Sequence, residues 1–159
     1  MVEWPKETPD QKEIFDFFGD PGENQVLLDL PFPMRISWAI DKRINRFYCH
    51  EKVRENFLRI YKAVLAHYGY EEIKRLRLDI WGGCFNIRKK RGGNTYSLHS
   101  WGIAIDTDPI NNQLTWGRDK ARLARPDYDK FWEIVEAEGF TSLGRKQNFD
   151  WMHFQATSK

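Results

Sequence analysis

The sequence predicts an α+β domain in which a small antiparallel β-sheet packs against helices. Three observations carry this. Residues 51–68 place apolar side chains at Val53, Phe57, Ile60, Tyr61, Val64 and Leu65, a helical period. From residue 78 onward the chain instead breaks into short apolar runs separated by Gly, Asn and Pro, the pattern of brief strands. Helices come first and mostly short strands with short links follow, an order that suits an antiparallel sheet. Hydrophobic residues make up 41% and aromatics 15% of the 159 positions, enough to build one packed core rather than a disordered chain. Residues 1–159 therefore read as a single domain. Residues 1–50 form an N-terminal extension packed on the core, and residues 78–155 carry the chemistry.

Thr8-Pro9 predicts an N-cap followed by proline at the first helical position, opening a short helix through Phe17-Phe18 that Gly19 stops. Asp20-Pro21-Gly22 is a turn. Residues 26–30 and 34–38 read as short strands separated by Pro31-Phe32-Pro33. The 51–68 helix ends at Gly69. Residues 78–81 and 84–87 read as strands around a Gly82-Gly83 break, and Arg91-Gly92-Gly93-Asn94 as a loop or hairpin tip. Residues 102–107 predict a buried strand. A second helix is expected over 126–138, with Phe131, Trp132, Ile134 and Val135 on its buried side and Gly139 as its stop. Residues 152–155 predict a final strand. There is no internal repeat, low-complexity tract or linker.

Composition excludes several classes. No apolar run reaches the roughly 20 residues of a membrane helix, so no membrane partner is expected. The first seven residues contain acidic side chains and an early proline without an apolar core, which is not a secretory signal. The chain is thus expected to be made in the cytoplasm. Residues 41–91 carry 14 Lys and Arg against 6 Asp and Glu, while the net charge of the whole is only +2. Such a basic half suits an anionic partner or simply a solvated helix face. No helix-turn-helix, zinc-finger or RNP-like pattern accompanies it, so nucleic acid is not an expected partner. Cys49 and Cys84 form no C-x-x-C pair and read as free buried thiols. The adjacent Cys49-His50 pair is poorly placed to aim both side chains at one ion.

Two segments concentrate metal-ligating chemistry. The first is Ser97-Leu98-His99-Ser100-Trp101-Gly102-Ile103-Ala104-Ile105-Asp106 and the second Asp150-Trp151-Met152-His153-Phe154. They offer two imidazoles and a carboxylate, with a further carboxylate three residues before the last histidine. A catalytic zinc site needs three protein ligands, an open position for water and a base beside that water. On this reading His99, Asp106 and His153 are the ligands. His99 lies in the loop entering the strand of Asp106, and Gly102 lets the backbone bend so that both face one ion. Asp108 rivals Asp106, although Thr107-Asp108-Pro109 resembles a turn closing the strand. His50 and His67 read as structural or surface residues.

The combined pattern resembles the zinc D-alanyl-D-alanine carboxypeptidase family, the VanY-like group that includes phage L-alanyl-D-glutamate endopeptidases. The likeness is greatest to small phage endolysin-type members, through Gly82-Gly83-Cys84-Phe85-Asn86-Ile87-Arg88 and the two segments above. It extends upstream through Leu30-Pro31-Phe32-Pro33 and Phe47-Tyr48-Cys49-His50. The resemblance implies the Hedgehog/D-Ala-D-Ala carboxypeptidase-like scaffold and Zn²⁺ held by His99, Asp106 and His153. It also implies Asp150 as general base and Arg88 as the cation facing the scissile carbonyl. Asp at the base position is what the endopeptidase branch tends to use, where carboxypeptidases often have Glu. The residue after His-Phe is often Glu in the family but Gln155 here, which questions a hydrogen bond behind the ligands.

The implied substrate is the peptidoglycan stem peptide. The implied protein is a monomer that reaches the wall after release, from the host cytoplasm if phage-encoded. Arg91 rivals Arg88, and Lys89-Lys90-Arg91 either hold substrate carboxylates or form a solvated hairpin tip. Ser97 either contacts substrate or closes the turn. Trp101 and Trp151 either wall the cleft or join the core. The competing functions are a D-alanyl-D-alanine carboxypeptidase and a non-catalytic wall-binding domain on the same scaffold. A two-His, one-carboxylate iron oxygenase fits less well, because the seven-residue separation of His99 and Asp106 is too long for that pattern.

Overall fold

Two three-stranded sheets joined edge to edge organise the computed structural model, which describes residues 3–158. Met1 and Val2, the first residues of the N-terminal reading, lie outside them. The first sheet is dominated by a long antiparallel hairpin of β1 (Gln25–Ile36) and β2 (Ala39–His50), and β3 (Ile80–Trp81) adds to β1 in parallel. The second sheet orders β4 (Ala104–Asp106), β6 (His153–Gln155) and β5 (Thr141–Ser142), all antiparallel. An isolated bridge from Trp81 to Thr107 and bonds from Gly82 N to Asp106 O and Asp106 N to Gly83 O tie the sheets together. The architecture is α+β, as the sequence predicts, but the sheet is divided and contains one parallel pair.

The two strands expected at 26–30 and 34–38 are one strand. Pro31 and Pro33 have no N–H for the ladder, and between the pairs Asp29–Arg46 and Met34–Ile44 four residues of β1 face one of β2. The bulge turns Phe32 into the core, where it meets Tyr61 edge-on at 6.0 Å. Its partner β2 is mostly solvent-exposed and escapes periodicity arguments, since only its last residues are buried. Bidentate contacts from Arg35 to the fully buried Asp79, at 2.8 and 2.9 Å, brace the parallel β1–β3 pair.

Helix α1 (Lys12–Phe18) begins later than Thr8-Pro9 suggests. Thr8 Oγ1 donates to Asp10 Oδ1, the same oxygen accepts from Lys12 N, and the Thr8 carbonyl accepts from Gln11 N. These bonds close a turn before the helix instead of capping it. Helix α2 (Arg54–Tyr68) follows its predicted period, burying Phe57, Ile60, Tyr61 and Val64, and Gly69 ends it. Two short helices, α3 (Tyr70–Arg75) and, later, α5 (Leu143–Gln147), go unannounced in the sequence. Between them α4 (Asp129–Ala137) is preceded by a 3₁₀ turn at Pro126–Tyr128, and it buries Phe131, Trp132 and Val135 while Ile134 is only partly covered.

The aromatic core gathers around Phe154 of β6. Its ring stacks on Phe140 at 6.3 Å and meets Phe57, Phe131 and Trp132 at 6.2, 6.2 and 6.5 Å. Full burial of such a side chain contributes roughly 1.5–3 kcal/mol, so β6 is anchored by the residue between His153 and Gln155.

Two glycines are dictated by close approach. A Cβ on Gly82 would meet Pro109 Cγ at 2.7 Å and the Asp106 carbonyl at 2.9 Å, so residues 80–83 can lie against β4 only without one. Gly102 has φ +67°, and a Cβ there would collide with Gln25 Oε1 and reach His50 N at 3.0 Å. Gly102→Ala is expected to lower unfolding free energy by about 2 kcal/mol or more, combining the left-handed backbone cost with overpacking. Urea denaturation measures this, and an unchanged midpoint would show that the β1–β2 hairpin yields freely at this contact.

Candidate metal centre

Asp106 and His153 are direct cross-strand partners in the β4–β6 ladder. In a strand, alternate residues share a face, so Asp106 and Ala104 line one side of β4 while Ile105 enters the core. His153 and Gln155 do the same on β6 around Phe154. The result is a distance of 3.0 Å from His153 Nδ1 to Asp106 Oδ1.

His99 arrives from a 3₁₀ turn, Leu98–Trp101, rather than an open loop. Ser97 caps it, its Oγ accepting from His99 N, and Gly102 closes it by donating to the His99 carbonyl. His99 Nδ1 lies 2.7 Å from the Cys84 carbonyl. A carbonyl only accepts, so Nδ1 carries a proton, and Nε2, 3.3 Å from Asp106 Oδ2, is the nitrogen available to an ion. The segment 84–87, expected as a strand, is irregular. Its peptide groups serve the site instead, through Cys84 O to His99 and Asn86 N to the His99 carbonyl at 3.0 Å.

Ligand atoms of His99, Asp106 and His153 all lie within 4.8 Å of one another, a group that can hold a metal ion. The donor set, two imidazole nitrogens beside one carboxylate, fits zinc. Asp108 is not part of it. Its carboxylate is bound by Arg77 at 3.1 Å through both oxygens and by Asn111, so it closes the turn.

Asp150 sits beside this group, Oδ2 4.0 Å from His153 Nδ1. Its backbone is left-handed, φ 53°, with its N–H bonded to Leu114 O and its carbonyl to His153 N. Non-glycine residues in that region are uncommon and cluster where a side chain must be aimed. Burial raises the Asp150 carboxyl above its ordinary pKa, with the Asp106 charge adding to this and His153, His99 and Arg88 opposing it. Burial pushes Asp106 the same way, yet hydrogen bonds to His153 and His99 win and hold it well below the usual carboxylate range. Burial disfavours charge on His153, but the bond and charge of Asp106 outweigh it and raise the ring to about 9.

Both His153 nitrogens face acceptors, Asp106 Oδ1 at 3.0 Å and Gln155 Oε1 at 2.9 Å. Gln155 thus supplies the hydrogen bond that its replacement of Glu called into question.

A cleft of about 340 Å³ opens onto His99 and Asp106, lined also by Arg88, Asn86, Trp38 and Trp81. Arg88 is held by its backbone, its N–H donating to Ser100 Oγ and its carbonyl accepting from Ser97 N and Ser100 Oγ, and the residue is exposed. Trp38, 68% exposed at the tip of the β1–β2 hairpin, faces Trp81 at 5.8 Å and forms the aromatic wall. Neither was flagged by the sequence, because the hairpin that puts Trp38 at its tip depends on β2, which the sequence does not announce. Arg91 is exposed on the 89–96 loop and does not line the cleft.

Trp101 is not brought to the cleft. It is fully buried, donates to Gly19 O and packs edge-on against Phe15 at 5.2 Å. Trp151 is likewise buried, bonded to Asn148 Oδ1 and packed near Trp132. Ser97 is occupied in capping the His99 turn. A larger groove of about 790 Å³ lies elsewhere, between the N-terminal segment and α4, and contains none of these groups.

Because the raised His153 holds a proton on Nδ1 below about pH 9, zinc has to displace it. Calorimetry near neutral pH in buffers of different ionisation enthalpy is expected to show release of about one proton per zinc. Well above pH 9 the ring is already neutral and the release should vanish. A release independent of pH across this range would mean that His153 is neutral throughout.

Residues 91–156 match the family model described as D-alanyl-D-alanine carboxypeptidase. No curated protein and no solved structure matches the chain. The matched span begins just before the His99 turn and ends just after Gln155, so it contains the whole His99–Asp106–Asp150–His153 group. The match supports a peptidase.

Proposed function

We propose that this chain is a single-domain, zinc-dependent peptidase that hydrolyses peptidoglycan stem peptides as an L-alanyl-D-glutamate endopeptidase of the phage endolysin type. The observation that carries the peptidase reading is the convergence of two imidazole nitrogens on Asp106, with a second carboxylate, Asp150, 4.0 Å from His153. The endopeptidase branch is favoured by Asp at position 150 and by the phage-like segments around residues 82–88.

His99, Asp106 and His153 would hold the ion. When bound, zinc supplies a water of lowered pKa and a Lewis acid for the scissile carbonyl. Asp150 accepts the water proton at its carboxylate, and burial, by raising its pKa, makes it a stronger base than an exposed aspartate. As the water oxygen bonds to the carbonyl carbon and the C–N bond breaks, Asp150 returns the proton to the departing amine nitrogen. Arg88, on the cleft wall, stabilises the negative charge that develops on the carbonyl oxygen. Arg91 is too far along its loop to line the cleft and is left to contact substrate carboxylates outside it. Trp38 and Trp81 offer flat faces against which the substrate packs.

A second reading, a D-alanyl-D-alanine carboxypeptidase, is favoured by the description of the matching family model. Mass spectrometry of defined muropeptides separates the two, since the endopeptidase releases fragments starting at D-Glu and the carboxypeptidase a single D-Ala. Chelator should abolish either product. If zinc binds stoichiometrically and no muropeptide changes, the non-catalytic wall-binding reading prevails.

Asp150→Ala is expected to lower kcat by on the order of 10²–10⁴ while zinc content is kept. Arg88→Ala should cost on the order of 10²–10³ in kcat, as for loss of an oxyanion donor. Steady-state kinetics with metal analysis reads both, and unchanged turnover in Asp150→Ala would remove it as the base.

A further inference from the structure

The N-terminal segment reaches the back of the metal centre through one side chain. Gln155 is buried, and its Nε2 donates to two acceptors, Glu7 Oε1 at 3.1 Å and Thr157 Oγ1 at 2.8 Å. With both amide hydrogens occupied, Gln155 Oε1 has to face His153, and it does so 2.9 Å from Nε2. An amide oxygen only accepts, so His153 keeps a proton on Nε2, and Nδ1, the nitrogen facing Asp106, is the one left to give up its proton and ligate. Glu7 is in turn held by Lys90 Nζ, 3.1 Å from its other oxygen.

We propose that Glu7 is a positioning residue for the metal centre: by fixing the Gln155 amide it selects the His153 tautomer that leaves Nδ1 free to ligate. This rests on the zinc-site reading above and deepens it. Metal-bound histidines are oriented and made more basic by an acceptor on the other nitrogen, often a carboxylate. Here the acceptor is neutral, and the carboxylate stands one residue further out, polarising the amide that relays it. Without Glu7 one Gln155 N–H loses its acceptor and the amide is free to turn over. The reversed amide sets N–H against His153 Nε2, which then has to accept, and the ring proton moves to Nδ1, where the ion belongs.

The contact is separable from folding. The Glu7 side chain is 32% exposed and Lys90 44%, so their ion pair lies in the range where such pairs contribute little to stability. The segment is independently fixed by Gln11, whose amide bonds both the N–H and the carbonyl of Tyr96, and by Ser158 N to Pro5 O.

The test is zinc affinity, measured by competition with a chromophoric chelator, alongside the melting temperature of the zinc-free protein. Glu7→Ala is expected to weaken zinc on the order of 10-fold with little change in zinc-free melting. Adding Gln155→Glu to Glu7→Ala places a carboxylate directly on His153 Nε2–H and should restore the affinity. Wild-type affinity in Glu7→Ala overturns the proposal, as does a loss that Gln155→Glu does not repair or one that follows zinc-free melting. A wild-type protein that binds no zinc overturns the metal reading itself and this proposal with it, whatever the peptidase assay shows.

Discussion

The register of two three-residue strands holds the candidate centre together. Asp106 stands opposite His153 because Ile105 stands opposite Phe154, and both of those are fully buried. The side-chain period of a strand is two, so slipping this pairing by one residue would swing the core aromatic out and the ligands in. Phe154 meets aromatic rings from α2 and α4 and Phe140 just before β5, so the penalty for a slip is spread across the whole core. A short ladder is a weak element alone. Its precision here comes from the hydrophobic face it shares with the helices.

The rest of the centre is set by backbone atoms. Cys84 contributes its carbonyl rather than its thiol, which burial pushes well above its ordinary pKa and keeps inert. Gly82, with no Cβ to collide, and Gly83, at φ +115°, let residues 80–86 turn so that one segment touches both β4 and the His99 turn. Asp150 accepts a left-handed backbone to bring its carboxylate beside His153. Each is a departure from regular strand geometry at the place where side chains have to converge.

What the sequence disclosed follows the same division. The helix over residues 54–68 was legible because its buried face repeats within the element itself. The group of His99, Asp106 and His153 was legible because His99 with Asp106, and Asp150 with His153, fall in short segments whose spacing is chemical. Strand β2 was not, because it is an exposed edge strand whose only warrant is its pairing with β1. Proline at 31 and 33 looked like a break between strands, and only the register shows a bulge within one. Trp101 lies between two site residues in sequence yet points to the other side, since a 3₁₀ turn sends neighbours in different directions. Glu7 acts on Gln155 across 148 positions, a contact no local pattern can announce.

The charges of the centre also argue for a doubly charged occupant. Asp106 is largely shielded and Asp150 mostly so, and two carboxylates this near a pair of imidazoles are costly to bury without compensation. In the zinc-free protein a single proton on His153 Nδ1 offsets part of this, which is why Asp106 raises that ring against the effect of burial. That one positive charge opposes the effect of burial on Asp150 only in part, so its carboxyl stays above its ordinary pKa. A dication in the same position would neutralise Asp106 more fully, draw lone pairs from both imidazoles and lower the Asp150 carboxyl by direct attraction. The base would then be ionised over a wider pH range in the loaded protein than in the empty one. On the proposed reading, metal binding and ionisation of Asp150 would be one electrostatic event, and Gln155 and Glu7 would set which nitrogen of His153 takes part in it.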